Sequence, residues 1–151
     1  MQKPDDWQIR FIQLLAVVGM FVAYFLLLFH RGDLIGVCEP GGFEDCGQVS
    51  GPGAPYSAIG PIPVALIGLT GYIVMFLAVW LKDWITALDD YLPEIMVGLT
   101  GLAFVFTLYL TSLELFVIHA VCRYCLISAG IVTIQLVLAI SYIRSANRAV
   151  D

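Results

Sequence analysis

The chain has little charge: only 13% of its 151 residues are Asp, Glu, Lys or Arg, whereas 60% are hydrophobic. Soluble domains are roughly half apolar, so this chain lacks the polar surface that a soluble globule needs. It also lacks a basic run, and its net charge of −5 argues against nucleic-acid binding. No stretch alternates like the strands of a membrane β-barrel. The composition therefore predicts an all-α integral membrane protein.

Four long apolar runs predict four membrane-spanning helices, because one span needs about 20 mostly apolar residues. The runs cover residues 11–29, 62–81, 95–118 and 121–143. The first run is longer than the apolar part of a signal peptide, and no small-residue cleavage site follows it. We therefore expect a retained helix there, and one membrane domain, a four-helix bundle, over residues 1–151.

Two of these runs contain the same glycine-rich string. The string GLTG occurs at residues 68–71 and again at 98–101. Small residues let helices approach closely in lipid. The repeat therefore predicts that these two faces lie at helix contacts.

Basic residues set the expected orientation, because cytoplasmic segments carry an excess of Lys and Arg. Four spans put both termini and residues 82–94 on one side of the membrane. Most of the basic residues fall on that side: Lys3, Arg10, Lys82, Arg144 and Arg148. The other side has only Arg31 and Arg123. We expect cytoplasmic termini in a multi-pass protein, with the 31–60 loop outside.

The four cysteines all fall on this outer side: Cys38 and Cys46 in the loop, Cys122 and Cys125 at the start of the last span. Outside a bacterial plasma membrane, thiols are driven toward disulfides, and four cysteines allow three pairings. A C-x-x-C pair at a helix N-terminus suits thiol–disulfide exchange, because the helix start stabilises a thiolate. Static disulfides, or cysteines buried as small apolar side chains, are the alternatives. The wide spacing of the loop pair argues against zinc, and we expect no metal.

Residues 31–60 are rich in Gly and Pro, which excludes one long helix. We expect this loop to fold over the outer end of the bundle, with a short half-helix around residues 54–60. Glu114 precedes Cys122 by eight residues, which is about two turns deeper if the helix is continuous. Intramembrane carboxylates are costly and often functional, so Glu114 is a candidate quinone contact or proton carrier. The alternative is an interfacial carboxyl bonded to a neighbour.

Three features together carry a family resemblance. Two loop cysteines, Cys38 and Cys46, follow the first span; Tyr56 precedes the string GPIP at 60–63; and LELFVIHAVCRYCLISA opens the fourth span. Over about residues 8–145 the chain resembles the vitamin K epoxide reductase family, in its bacterial branch without a fused thioredoxin-like domain.

The resemblance implies a relay that ends in a quinone, either menaquinone or ubiquinone. A separate, extracytoplasmic thioredoxin-like protein would give two electrons to the loop pair by exchange at Cys38. Cys46 would pass them to Cys122, and Cys125 would face the quinone and bond to it transiently. Tyr56 would lie beside the quinone. The oxidised partner could then install disulfides in secreted proteins.

The sequence departs from the family pattern at the expected quinone contacts. Ala54 stands where many members have a serine two residues before the loop tyrosine, and no asparagine near the loop matches the family pattern. An alternative is therefore a catalytically silent structural subunit of a larger membrane complex, with the same fold and static disulfides. A small transporter is a weaker third reading, because the spans show no chain of intramembrane charges.

Overall fold

The computed structural model describes residues 6–34 and 44–151. Within them lie five α-helices: α1 (Trp7–His30), α2 (Cys46–Ser50), α3 (Val64–Leu81), α4 (Thr86–Leu113) and α5 (Arg123–Val150). A π-helix, Glu114–Ile118, continues α4, and a small hairpin joins β1 (Ala58–Ile59) to β2 (Ile62–Pro63). Four helical segments, α1, α3, α4 with the π-helix, and α5, are long and apolar enough to cross a membrane. The predicted all-α membrane bundle is confirmed.

The spans pack as an antiparallel bundle. α1 lies against α3 and α5, and α4 lies against α5 and α3. Ile9, Ile12 and Ala16 of α1 are fully buried in the largest core cluster, together with Val79 of α3 and Met96 of α4. Many large apolar side chains on the outer surface of the bundle stay exposed, as expected for a protein whose surroundings are lipid.

The predicted span boundaries are close for α1 and α3 and wrong for α4. The α4 helix begins at Thr86 rather than near residue 95, so the predicted 82–94 loop is mostly helix. Its first turns contain Asp89, Asp90 and Glu94, which are compatible with helix but invisible to a search for apolar runs. The same reason explains why α5 continues to Val150, past the predicted end at residue 143.

The predicted half-helix around residues 54–60 is also wrong. Those residues form turns and strand β1, and the short helix is α2, at Cys46–Ser50. The Asp45 carboxylate caps α2 by accepting hydrogen bonds from the backbone N–H groups of Gly47 and Gln48, at 3.0 and 3.2 Å. Residues 54–60 contain Pro and Gly, which favour turns there.

The end of the bundle near the chain termini carries an ion-pair cluster, here called the ion-paired end. Lys82 Nζ lies 3.1 Å from Asp6 Oδ1 and 4.0 Å from Asp89 Oδ1, and only 3% of the Lys82 side chain is exposed. Arg10 and Asp83 form a second pair at 2.9 Å, with both side chains nearly half exposed. These contacts join the start of α1 to the turn between α3 and α4.

Candidate functional site

The C-x-x-C pair lies at the start of α5. Cys122 is the N-cap residue of α5 and is fully buried, whereas Cys125, in the first turn, is partly buried. Both are free thiols. The hydrogen bond from the Cys125 thiol is the main cause that lowers the pKa of Cys122 to about 7, and burial opposes this shift. A pKa near neutrality makes Cys122 a competent partner in thiol–disulfide exchange.

Cys46, the first residue of α2, lies in the same apolar cluster as this pair. It is 1% exposed and belongs to the same apolar cluster as Cys122, Leu26 and Val49. Cys46 is disulfide-bonded, whereas Cys38 lies outside the described residues. The structure thus brings three of the four predicted site cysteines to one end of the bundle, here called the sulfur end.

Two contacts hold the loop and α1 against the C-x-x-C turn. Arg123, between the two cysteines, donates from Nη2 to Glu44 Oε2 at 2.6 Å, although both side chains are exposed. Tyr124 packs against Phe25 of α1, with ring centroids 4.8 Å apart and the ring planes tilted by 44°. Glu44 directly precedes Asp45, the cap residue of α2. The Arg123–Glu44 ion pair therefore connects the start of α2 to the start of α5, at the ends that carry Cys46 and Cys122.

Glu114 does not lie two turns below Cys122, as a continuous helix would require. The chain winds into the π-helix at Glu114 and reverses at His119, which has a left-handed φ of 56°. The N–H of Ala120 closes this turn on the Glu114 carbonyl at 3.2 Å. The Glu114 side chain, 4% exposed, therefore lies beside the cysteines, and the N–H of Cys122 donates to its Oε2 at 3.4 Å.

A cavity of about 390 Å³ runs from the sulfur end into the bundle, within the usual size range of ligand pockets. Its lining near the sulfur end includes the polar residues His30, Ser50, Tyr56, Ser57, Glu114 and Cys125, and Tyr72, Thr107, Thr111 and Ser128 add hydroxyl groups along the helices. Farther along the helices the lining is mainly apolar: Gly68, Gly71, Met75, Leu99, Leu102, Ala103 and Phe106. The cavity therefore suits a molecule with a polar head beside Cys125 and an apolar tail.

The first GLTG string does not mark a helix contact. Gly68 and Gly71 line the cavity, and a Cβ added to either would meet nothing within 4 Å. Gly98 and Gly101, in the second string, also face open space. The close approach occurs instead at Gly19 of α1, where a Cβ would overlap the ring of Tyr72. The small residues of α3 leave room for the cavity.

Some lining residues were not predicted from the sequence. Ser50 Oγ lies 3.7 Å from Cys125 Sγ, which puts a hydroxyl near the thiol although Ala54 replaces the family serine. Tyr72 and Ser128 both line the cavity, and their hydroxyl oxygens lie 2.7 Å apart. His30 is the last residue of α1 and lines the cavity. In the sequence it could be noticed only as a polar residue at the end of an apolar run.

The expectation that the site binds no metal stays a prediction. In the described ranges, no cluster of three or more His, Cys, Asp or Glu side chains is arranged to hold a metal ion. What the geometry provides is a reduced pair of thiols, a third cysteine in a disulfide, and an apolar cavity that one thiol reaches.

Comparison with known proteins agrees with this arrangement. The model of the vitamin K epoxide reductase family matches residues 10–140, which include all four cysteines and parts of all four spans. A search of curated proteins found no match to the chain. The family is one of membrane thiol–disulfide oxidoreductases that use quinones in general and work with thioredoxin-like partners. Because the match covers most of the sequence, the chain belongs to the vitamin K epoxide reductase family.

Proposed function

We propose that this protein is a quinone-dependent thiol oxidase that reoxidises a thioredoxin-like partner and passes the electrons to a membrane quinone. One observation carries the proposal: the free thiol of Cys125 forms part of the wall of an apolar cavity between the spans. A quinone dissolves in lipid and a protein dithiol in water. A thiol pair at the end of a membrane bundle is accessible from both media.

The first half of the relay is exchange between sulfurs. Cys38 receives the electrons from the partner, an assignment that rests on the family resemblance. Cys46 then exchanges with Cys122, which belongs to the same apolar cluster. Exchange proceeds through a mixed disulfide, so each transfer needs only two sulfurs to meet. With Cys46 oxidised and the C-x-x-C pair reduced, the arrangement corresponds to the moment before quinone reduction.

The second half is reduction of the quinone at Cys125. Two S–H bonds break, one S–S bond forms between Cys122 and Cys125, and the quinone takes two electrons and two protons to become a hydroquinone. The polar head of the quinone would lie near Cys125, Tyr56 and Glu114, with its tail in the apolar part of the cavity. The redox chemistry is that of the quinone, whereas the protein supplies position and exclusion of water.

The charge pattern supports a further part of the proposal, that the sulfur end faces the outside of a bacterial plasma membrane. Arg10, Lys82, Arg144 and Arg148 belong to the opposite end of the bundle, which the excess of basic residues makes cytoplasmic. The partner is then extracytoplasmic, and its oxidised form introduces disulfides into exported proteins.

The test uses the full chain in lipid nanodiscs, a reduced thioredoxin-like protein, and ubiquinone-1 or a short-chain menaquinone. Partner oxidation and quinone reduction are expected in equal amounts, and Cys125→Ser should abolish quinone reduction. The matched control is Ser112→Ala, a lipid-exposed hydroxyl on the same side of the membrane. Normal turnover by Cys125→Ser would contradict the proposal. Thiol trapping that finds both cysteine pairs oxidised under every condition would instead favour the structural subunit.

A further inference from the structure

Glu114 lies beside both residues of the C-x-x-C pair. Its Oε2 accepts a hydrogen bond from the backbone N–H of Cys122 at 3.4 Å. Its carboxyl group also interacts with the side chain of Cys125, and both residues line the cavity. A carboxyl group therefore lies beside the thiol that lines the cavity.

The backbone is shaped to put the carboxyl group there. Glu114 keeps the α-helical dihedrals of α4, with φ −59° and ψ −45°, and the π-helix that begins there changes the path of the chain that follows. His119 then takes a left-handed conformation, which is uncommon for a residue with a side chain. π-Helical turns within α-helices occur frequently at functional sites. Here the irregular segment brings the start of α5 back beside Glu114.

Stability does not account for this residue. Among the residues that the structure describes, no Lys, Arg or His side chain forms an ion pair with Glu114. A carboxyl group buried at membrane depth without a cation is costly. Among the described residues, its polar partners are the two cysteines, which points to a role in their chemistry.

We propose that Glu114 is a catalytic residue that carries a proton from the Cys125 thiol to the nearest oxygen of the bound quinone. This assignment rests on the proposed function. The Glu114 carboxylate takes the proton as the Cys125 S–H bond breaks, and it returns the proton as an O–H bond forms on the quinone. Glu114 ends in its initial state, and the two electrons leave the pair as the Cys122–Cys125 disulfide forms. The other proton required by the quinone comes from the Cys122 thiol or, when that group is ionised, from water.

The other polar groups at this end of the cavity are less suited to the task. Ser50 Oγ is 3.7 Å from Cys125 Sγ, but a hydroxyl group is too weak an acid and base to exchange protons efficiently near neutral pH. His30 and Tyr56 line the cavity, yet among the described contacts neither bonds to a cysteine. Among the described polar groups at this end of the cavity, Glu114 combines an exchangeable proton with an interaction with the reacting thiol.

Single-turnover kinetics test the assignment. The full chain in nanodiscs is reduced with dithiothreitol, desalted and mixed with ubiquinone-1, and the quinone absorbance is followed over a range of concentrations. Glu114→Gln keeps an acceptor for the Cys122 N–H but cannot carry a proton. We expect its limiting rate to fall roughly a hundredfold, the usual scale for a lost acid–base group. The half-saturating quinone concentration should stay unchanged. Glu114→Asp should recover part of the rate, and Ser112→Ala should behave as wild type.

Each contrary result has a distinct meaning. A normal rate in Glu114→Gln overturns the proton role, as does a higher half-saturating concentration with an unchanged limiting rate, which would mark a quinone contact only. Equal slowing in folded Glu114→Gln and Glu114→Asp also overturns it, because the aspartate still carries a proton. If wild type itself reduces no quinone, or Cys125→Ser reduces it normally, the proposed function fails as well.

Discussion

At the ion-paired end, side chains such as Ile12, Leu92 and Val79 are fully buried, whereas at the sulfur end the same helices enclose a cavity of about 390 Å³. The charges differ in the same way. Lys82 is held between Asp6 and Asp89, but the buried carboxyl of Glu114 interacts with the Cys125 thiol and a backbone N–H, and no cation of the described residues pairs with it.

This difference separates stability from reactivity within one small bundle. Close packing and ion pairs at the ion-paired end fix how the helices are arranged. That arrangement lets the sulfur end keep an open cavity and a buried acid, two features that cost stability. Gln135 is one residue that holds two helices together: it is fully buried in α5 and donates from Nε2 to the Ile12 carbonyl of α1 at 3.2 Å.

The largest expected effect comes from filling the cavity. Gly71→Leu places a side chain where a Cβ meets nothing within 4 Å, so the helix folds but the space for the quinone is lost. Displacing a reactant by about an ångström can reduce the rate roughly a hundredfold, and we expect at least that loss in quinone reduction. The control is Gly98→Leu, which also faces open space but lies outside the cavity lining. Equal activity in the two variants would show that the cavity is not the quinone site.

The second effect compares the same residue type at two places on α4. Leu92 is fully buried at the ion-paired end, whereas Leu99, two turns along, lines the cavity. Leu92→Ala should cost about 3 kcal/mol of unfolding free energy. Leu99→Ala should cost about 1 kcal/mol, because one side of that leucine already lacks packing partners. Unfolding in detergent with increasing denaturant measures both, and equal losses would contradict the comparison.

The sequence predicted the four spans because a helix in lipid needs a long apolar run, and such a run can be recognised from consecutive residues alone. It failed at the first turns of α4 and the last turns of α5, where charged residues extend helices beyond the membrane. The short helix was predicted near residues 54–60, but the decisive signal was the cap at Asp45, whose carboxylate bonds to the two N–H groups of α2.

The site was predictable in its residues but less so in its geometry. The C-x-x-C spacing of Cys122 and Cys125 indicated a functional pair. The number of spans predicted that this pair and Cys46 lie at the same end of the bundle. The position of Glu114 did not follow, because a π-helix and the reversal at His119 break the helical spacing. The cavity could not be read from GLTG either, since a glycine that leaves space looks the same in sequence as one that permits contact.

The third effect is a loss of stability at the ion-paired end without a loss of activity. Lys82→Met removes a buried ammonium that lies 3.1 Å from Asp6 Oδ1, and a charged hydrogen bond contributes about 1.5–3 kcal/mol. We expect about 1–2 kcal/mol, since the carboxylates are partly exposed and can be hydrated. Arg10→Met, whose pair with Asp83 is nearly half exposed, should cost less than about 1 kcal/mol. Quinone kinetics should be unchanged in both, and slow quinone reduction in Lys82→Met would mean that the two ends are coupled.

The smallest effect concerns how the sulfur end stabilises negative charge. At the ion-paired end opposite charges meet, whereas the pKa of Cys122 is lowered to about 7 chiefly by the hydrogen bond from Cys125. In a Cys38→Ser, Cys46→Ser background, reduced protein should therefore show a thiolate that forms with a midpoint near pH 7. Adding Cys125→Ala removes that hydrogen bond, so the Cys122 pKa should rise toward the ordinary value of about 8.5, and less thiolate should be present at neutral pH. Ultraviolet absorbance of the thiolate during a pH titration measures both midpoints. An unchanged midpoint after Cys125→Ala would mean that backbone N–H groups at the start of α5, rather than the neighbouring thiol, stabilise the Cys122 thiolate.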